Sequence, residues 1–171
     1  NRRTDRYGGS IENRMRFLLE IVDGIKARVR IPLVVRISAD EFVKGGNTLE
    51  HTTRVARALQ AHGVQAISVS VGVYESFNTQ SMVTGEQEGR WLSLAQAIKH
   101  EVQVPVFGVG RIKRPEVAEA AIAAGQCDLP LFGRAAVADP ELPNKIACGE
   151  QQRVMWCLSC NVCLGRASRP E

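Results

Sequence analysis

The chain has 171 residues, 44% of them hydrophobic, which fits one packed globular domain and excludes a disordered chain. Its net charge of +4 comes from 22 Lys and Arg scattered without a basic run, and its five Phe, two Tyr and two Trp do not alternate with them, so a nucleic-acid surface is not expected and phosphate is the better anionic partner. No apolar stretch approaches the roughly 20 residues that span a bilayer, and the five cysteines, odd in number with three crowded together, suit metal ligation in a reducing compartment, the cytoplasm, better than a disulfide framework.

The opening Asn1-Arg2-Arg3-Thr4-Asp5 has no initiator Met and reads as mid-loop, so the chain is expected to be part of a longer one. Residues 11–29 carry apolar side chains at Phe17, Leu18, Ile21, Val22 and Ile25, a helical period, with Ser10 as N-cap. A strand is predicted over 33–38. The next helix, 49–62, closes at Gly63 before a strand over 66–70. Residues 71–90 form a long polar, Gly-containing loop, a length that in a compact domain signals function or disorder. A short helix over 91–100, a strand over 104–109, a helix over 115–124, a strand over 129–132 and a last helix over 139–148 complete the pattern.

Four strands alternating with helices predict a parallel sheet with crossover helices. The spacing fits an α/β fold of the TIM (β/α)8 barrel type, whose eight units take about 250 residues, so this chain is expected to form about the C-terminal half, residues 1–150, followed by a Cys-rich, metal-binding loop over 151–171. An open doubly wound sheet is the rival, but Gly108-Val109-Gly110-Arg111-Ile112-Lys113 lacks the third glycine of its nucleotide-binding fingerprint.

Barrels of this kind hold ligand phosphates on the loops after the last strands, and two Gly-Arg pairs stand there, Gly110-Arg111 and Gly133-Arg134. Each glycine permits close backbone approach and each arginine charge-assisted bonds; ordinary turns with solvated arginines are the alternative. Arg36 falls on the strand face shared with Val34 and Ser38. It needs either a salt bridge, to Asp40 or Glu41, or a cofactor whose negative charge it opposes. His51, His62 and His100 lie at helix ends and read as structural. Tyr7 and Tyr74 are not chosen as proton donors.

The segment Asn1-Arg2-Arg3-Thr4-Asp5-Arg6-Tyr7-Gly8-Gly9-Ser10-Ile11-Glu12-Asn13-Arg14 resembles the hallmark of the old yellow enzyme family of NAD(P)H:flavin oxidoreductases. Further blocks agree in order: Val35 to Asp40, Val69-Ser70 with Gly72 and Tyr74, Val109 to Ile112, and Gly133 through Lys145. The resemblance implies an FMN-containing barrel in which Arg36 contacts the pyrimidine side of the isoalloxazine while Gly110, Arg111, Gly133 and Arg134 hold the phosphate. It further implies hydride transfer between NAD(P)H, flavin and a small organic substrate such as an activated alkene, or electron uptake from an amine. The family's proton donor would precede Asn1, so no catalytic residue is assigned here. Pro130, in the fourth strand, departs from the family's apolar run and lacks a ladder donor. Self-association is left open.

Cys157, Cys160 and Cys163 follow the last predicted helix. Their spacing suggests an iron–sulfur cluster; zinc and plain reduced thiols are the alternatives. The stretch resembles the 4Fe-4S loop of the cluster-containing branch of the family, that of trimethylamine dehydrogenase and, more loosely, 2,4-dienoyl-CoA reductase. A fourth cysteine would then follow Glu171, since neither Cys127 nor Cys148 fits its position. Two rival functions remain open: a phosphate-binding barrel synthase or isomerase without flavin, which leaves Arg36 and the thiols unexplained, and a non-catalytic metal-binding half-barrel.

Overall fold

The computed structural model describes residues 3–167; Asn1 and Arg2 of the opening segment, and the end of the expected 151–171 stretch, lie outside the described residues. Four strands form one wholly parallel sheet in the order β1-β2-β3-β4: β1 Val34–Ser38, β2 Ala66–Ser70, β3 Val106–Gly108 and β4 Leu129–Pro130. Spatial order follows chain order with no reversal, which is the arc of a barrel; a doubly wound sheet would reverse at a switch point.

Helix α1, Ile11–Lys26, begins where predicted, Ser10 Oγ accepting from the Asn13 N–H at 3.3 Å, and stops three residues earlier than its apolar period, at Ala27. Helix α2, Leu49–Ala61, is closed by His62 and then Gly63, whose φ of +74° is the left-handed cap the glycine permits. These two helices and α4, Leu92–Lys99, cover the outer face of the sheet. Their Val22, Leu59, Ala95 and Ile98 pack with Ile67, Val69 and Val106 in the main core, against which Val35 and Ile37 of β1 also lie.

The opposite side chains therefore face the barrel interior. Register places Arg36, Ser68, Phe107 and Leu129 in one row across that face. The expected loop over 71–90 is an ordered segment with a 3-10 turn at Tyr74–Ser76 and helix α3, Phe77–Gln80.

Pro130 shortens the fourth strand to two residues. Asp128 N–H donates to the Val106 carbonyl at 2.8 Å, so a regular ladder would next use the nitrogen of residue 130; proline has no hydrogen there, and Leu131 N–H reaches the Gly108 carbonyl instead at 2.9 Å. The chain slips by one residue at the point where it turns towards Gly133. Helix α5, Pro115–Ala123, starts on the proline predicted to open it.

The helix expected over 139–148 is shorter, 142–147, and another helix that was not expected precedes it. Helix α6, Arg134–Ala138, ends at Asp139, whose extended backbone breaks the run, and α7, Leu142–Ala147, follows. Beyond it, Val154 is buried with Ala135 and Leu142, and Trp156 and Cys157 pack on the same cluster, so the cysteine segment is laid back against the barrel. Its last described element is helix α8, Val162–Ala167, which carries Cys163.

Candidate functional site

A cavity of about 360 Å³, within the range of small-ligand sites, opens at the C-terminal ends of the strands. Arg36 and Ser70 line it from β1 and β2, Gly110 and Arg111 from the turn after β3, and Gly133 and Arg134 from the turn after β4. All five residues named from the sequence as cofactor-binding thus meet in one place. Val71, Phe77, Met82 and Trp91 supply apolar wall.

The charge of this wall is its main property. Arg36, Arg111, Arg134 and Lys113 line the cavity, and among the described residues no Asp or Glu does. Lys113 pairs with Glu88, but among the described residues no carboxylate pairs with any of the three arginines. The salt bridge considered for Arg36 is absent. Its Nη2 donates to Ser70 Oγ at 3.1 Å, while Asp40 accepts from the Phe42 N–H at 2.8 Å and Glu41 from Asn47. Arg36 is exposed, as is Val34 on the same face of β1.

The two glycines differ in kind. A Cβ at Gly110 would stand 3.0 Å from the Trp91 nitrogen and 3.2 Å from that of Arg90, and the Gly110 carbonyl accepts from Gly89 N–H at 2.6 Å. Here the glycine is required by the crossing backbone of the 71–90 segment. A Cβ at Gly133 would meet nothing within 4 Å, so no neighbouring atom calls for glycine there. Close approach by a ligand is one physical reason for it.

Arg111 sits at φ +59°, a conformation uncommon for a side-chain-bearing residue. Its Nε donates to Ser159 Oγ at 2.8 Å and its Nη1 to the Glu86 carbonyl. Arg134 donates from Nη1 to the Met82 carbonyl at 2.7 Å and to Asn161 Oδ1. A guanidinium carries five N–H groups in a fixed fork, so these bonds orient both arginines and leave further donors for a bound anion. A phosphate ester, needing several donors and cations to be drawn from water, fits this donor set.

Cys157 lines the cavity and its Sγ accepts from the Ser159 N–H at 3.4 Å; Cys160 is exposed and Cys163 half-buried. Among the described residues no three His, Cys, Asp or Glu side chains are gathered where they could hold one metal ion. Cys157 and Cys160 lie on the loop and Cys163 on α8, and the three thiols form no cage. Cys127 is buried beneath Gly108, which has no room for a Cβ beside it, and burial pushes its thiol pKa up. Cys148 is exposed.

Neither tyrosine nor any histidine lines the cavity. Tyr7 hydroxyl donates to Glu20 at 2.9 Å, Tyr74 is 94% exposed, His62 caps α2 and pairs with Asp23 at 2.8 Å, and His51 Nδ1 accepts from Thr48 N–H. Sequence reasoning missed the cavity role of the 71–90 segment and the parts played by Ser159 and Asn161. It also gave no role to Asp139, which accepts from Lys145 Nζ at 2.7 Å and from Met155 N–H at 2.9 Å and so ties the cysteine segment to α6 and α7. Lys145 holds that carboxyl below the usual carboxylate range.

A family model described as the NADH:flavin oxidoreductase / NADH oxidase family matches residues 1–153. The chain belongs to this family. The chain is 47% identical over 168 residues to NADH oxidase of Thermoanaerobacter brockii, an alignment covering 96% of this chain and 26% of that protein. Among solved structures it is similar to a 2-naphthoyl-CoA reductase complexed with 2-naphthoyl-CoA, with a TM-score of 0.89 at 37% identity, covering 94% of this chain and 25% of that one. Histamine dehydrogenase from Rhizobium sp. 4-9 superposes with a TM-score of 0.85 at 32% identity, covering 96% and 24%. The chain thus spans about a quarter of these relatives' length.

Proposed function

We propose that this chain is the FMN-phosphate-binding half of a (β/α)-barrel oxidoreductase that, within a longer protein, passes electrons between NAD(P)H and a small organic substrate. The observation that carries the reading is a cavity at the strand ends lined by three arginines that no described carboxylate neutralises, and by no acid of its own. Bound there, FMN would supply hydride acceptance and donation. The chain's own contributions are electrostatic and geometric. Arg111 and Arg134, beside Gly110 and Gly133, neutralise and orient the phosphate. Arg36, steadied by Ser70, places a positive charge beside the ring system, favouring the reduced form over the oxidised one.

NADH is the nicotinamide named for the Thermoanaerobacter relative; the other two named relatives act on a thioester-linked arene and on an amine, both small organic substrates. The reading includes a cytoplasmic protein without nucleic-acid or membrane partners. Among the described residues no helix is long and apolar enough to cross a membrane. Cys157, Cys160 and Cys163 belong to the reading as ligands of a 4Fe-4S cluster on their sequence spacing alone. The test is to purify the full-length protein and record its visible spectrum before and after anaerobic NADH. A yellow protein whose flavin band bleaches supports the reading; a colourless protein that takes up no FMN overturns it in favour of a flavin-free phosphate-binding barrel.

A further inference from the structure

Arg111 and Arg134 line the cavity and also hold the cysteine loop, through Ser159 Oγ for Arg111 and Asn161 Oδ1 for Arg134; Ser159 lines the cavity beside them. Both receiving residues have left-handed backbone, Ser159 at φ +57° and Asn161 at φ +61°, which a non-glycine residue adopts only when surrounding contacts hold it there. Those contacts exist. Ser159 is 1% exposed, Asn161 Nδ2 donates to the Ser81 carbonyl at 2.9 Å, and the Thr84 hydroxyl donates to the Leu158 carbonyl.

The chemistry of the pairing matters. A flexible arginine loses rotamer freedom when it grips an anion, and a partner that fixes its fork beforehand removes part of that loss. A carboxylate partner would fix it but cancel its charge. A hydroxyl and an amide oxygen fix it and leave the charge intact.

We propose that Ser159 and Asn161 are positioning residues of the anion site, so that the loop carrying Cys157 and Cys160 forms the outer support of the phosphate pocket. This rests on the FMN reading above. By linkage, an anion that orders the two arginines orders the loop to the same extent.

The test uses the full-length protein stripped of flavin and titrated with FMN and with riboflavin, which lacks the phosphate. Ser159→Gly and Asn161→Gly remove the acceptors while keeping a residue at ease in left-handed backbone. Each variant should weaken FMN binding on the order of tenfold and leave riboflavin binding unchanged. Equal losses for both flavins, or no loss for either, would overturn the proposal, the first by showing a merely structural role. Should the variants fail to fold, hydrogen exchange of the 157–161 amides in the unaltered protein replaces them. FMN should slow that exchange and riboflavin should not; the same exchange with either flavin would sink the idea. The underlying reading fails separately, when the unaltered protein does not prefer FMN to riboflavin. Were Arg111→Ala to lose FMN while both glycine variants keep it, only the present proposal would fall.

Discussion

Truncating Arg134 to alanine should separate two consequences that the structure gives to one side chain. The guanidinium bonds the carbonyl of Met82, a residue 3% exposed, and Asn161 Oδ1, and it presents its charge to the cavity. Loss of a bond between an ionised donor and a phosphate costs roughly 1.5–3 kcal/mol, which is about a 10- to 150-fold weaker FMN Kd. Leaving the Met82 carbonyl unpaired adds a stability cost of about 1–3 kcal/mol that does not depend on flavin. Arg134→Lys keeps the charge but not the fork and should fall between wild type and alanine in affinity. Fluorescence titration with FMN, alongside urea unfolding of the flavin-free protein, reads the two effects apart. An alanine variant that unfolds more easily yet binds FMN within about threefold of wild type would show Arg134 to be a strut between the 71–90 segment and the cysteine loop, and would refute its role towards phosphate.

Arg36→Ala should show the converse: FMN retained, but reduction by NADH slowed on the order of 10²-fold in stopped-flow measurements, because the charge it opposes appears on reduction; unchanged reduction would remove it from the site. Ile98→Ala, at a position with 0% exposure in the main core, should cost about 2–5 kcal/mol in denaturant unfolding. Asp139 is held below the usual carboxylate range mainly by Lys145. Its contribution is therefore fully present above the ordinary carboxyl pKa of about 3.9 and is lost as pH falls through the depressed folded value. Asp139→Asn should loosen the segment at Met155 already at neutral pH and flatten that acid-side loss in a pH series of melting curves, and an unaltered acid limb would count against the anchor.

Much of this architecture was legible in the sequence because it depends on local rules. The β-branched runs around Val35, Ile67 and Val106 marked three of the four strands, Ser10 and Pro115 marked two helix starts, and the alternation along 33–38 put Arg36 on the face opposite Val35 and Ile37. Pro130 even announced its own irregularity, though the one-residue slip to Leu131 needed the neighbouring strand to be seen. The five cavity residues could be named because strand ends and Gly-Arg turns have positional meaning in a barrel.

What was not legible depends on partners far apart in sequence. Asn161 meets Ser81 across 80 residues and Arg134 across 27, and no period or cap signals either contact. A left-handed Ser159 has no composition cue, whereas Asn161 had a weak one, since asparagine tolerates that backbone better than most. Arg36 was expected to need a partner, and that this is the Ser70 hydroxyl, 34 residues away, in place of Asp40 or Glu41 could not be read from the sequence. The late start of the helix expected over 139–148, at Leu142, was hidden because Asp139 serves the tertiary structure, through Lys145 and Met155, and the short helix over 134–138 before it was not foreseen.

A crystal structure of the full-length protein with FMN would show whether the three arginines around this cavity hold it. Phosphate oxygens should lie about 2.7–2.9 Å from the guanidiniums of Arg111 and Arg134, with the flavin ring beside Arg36. Density for the flavin elsewhere, with those arginines bonded only to the cysteine loop and the 71–90 segment, would contradict this placement.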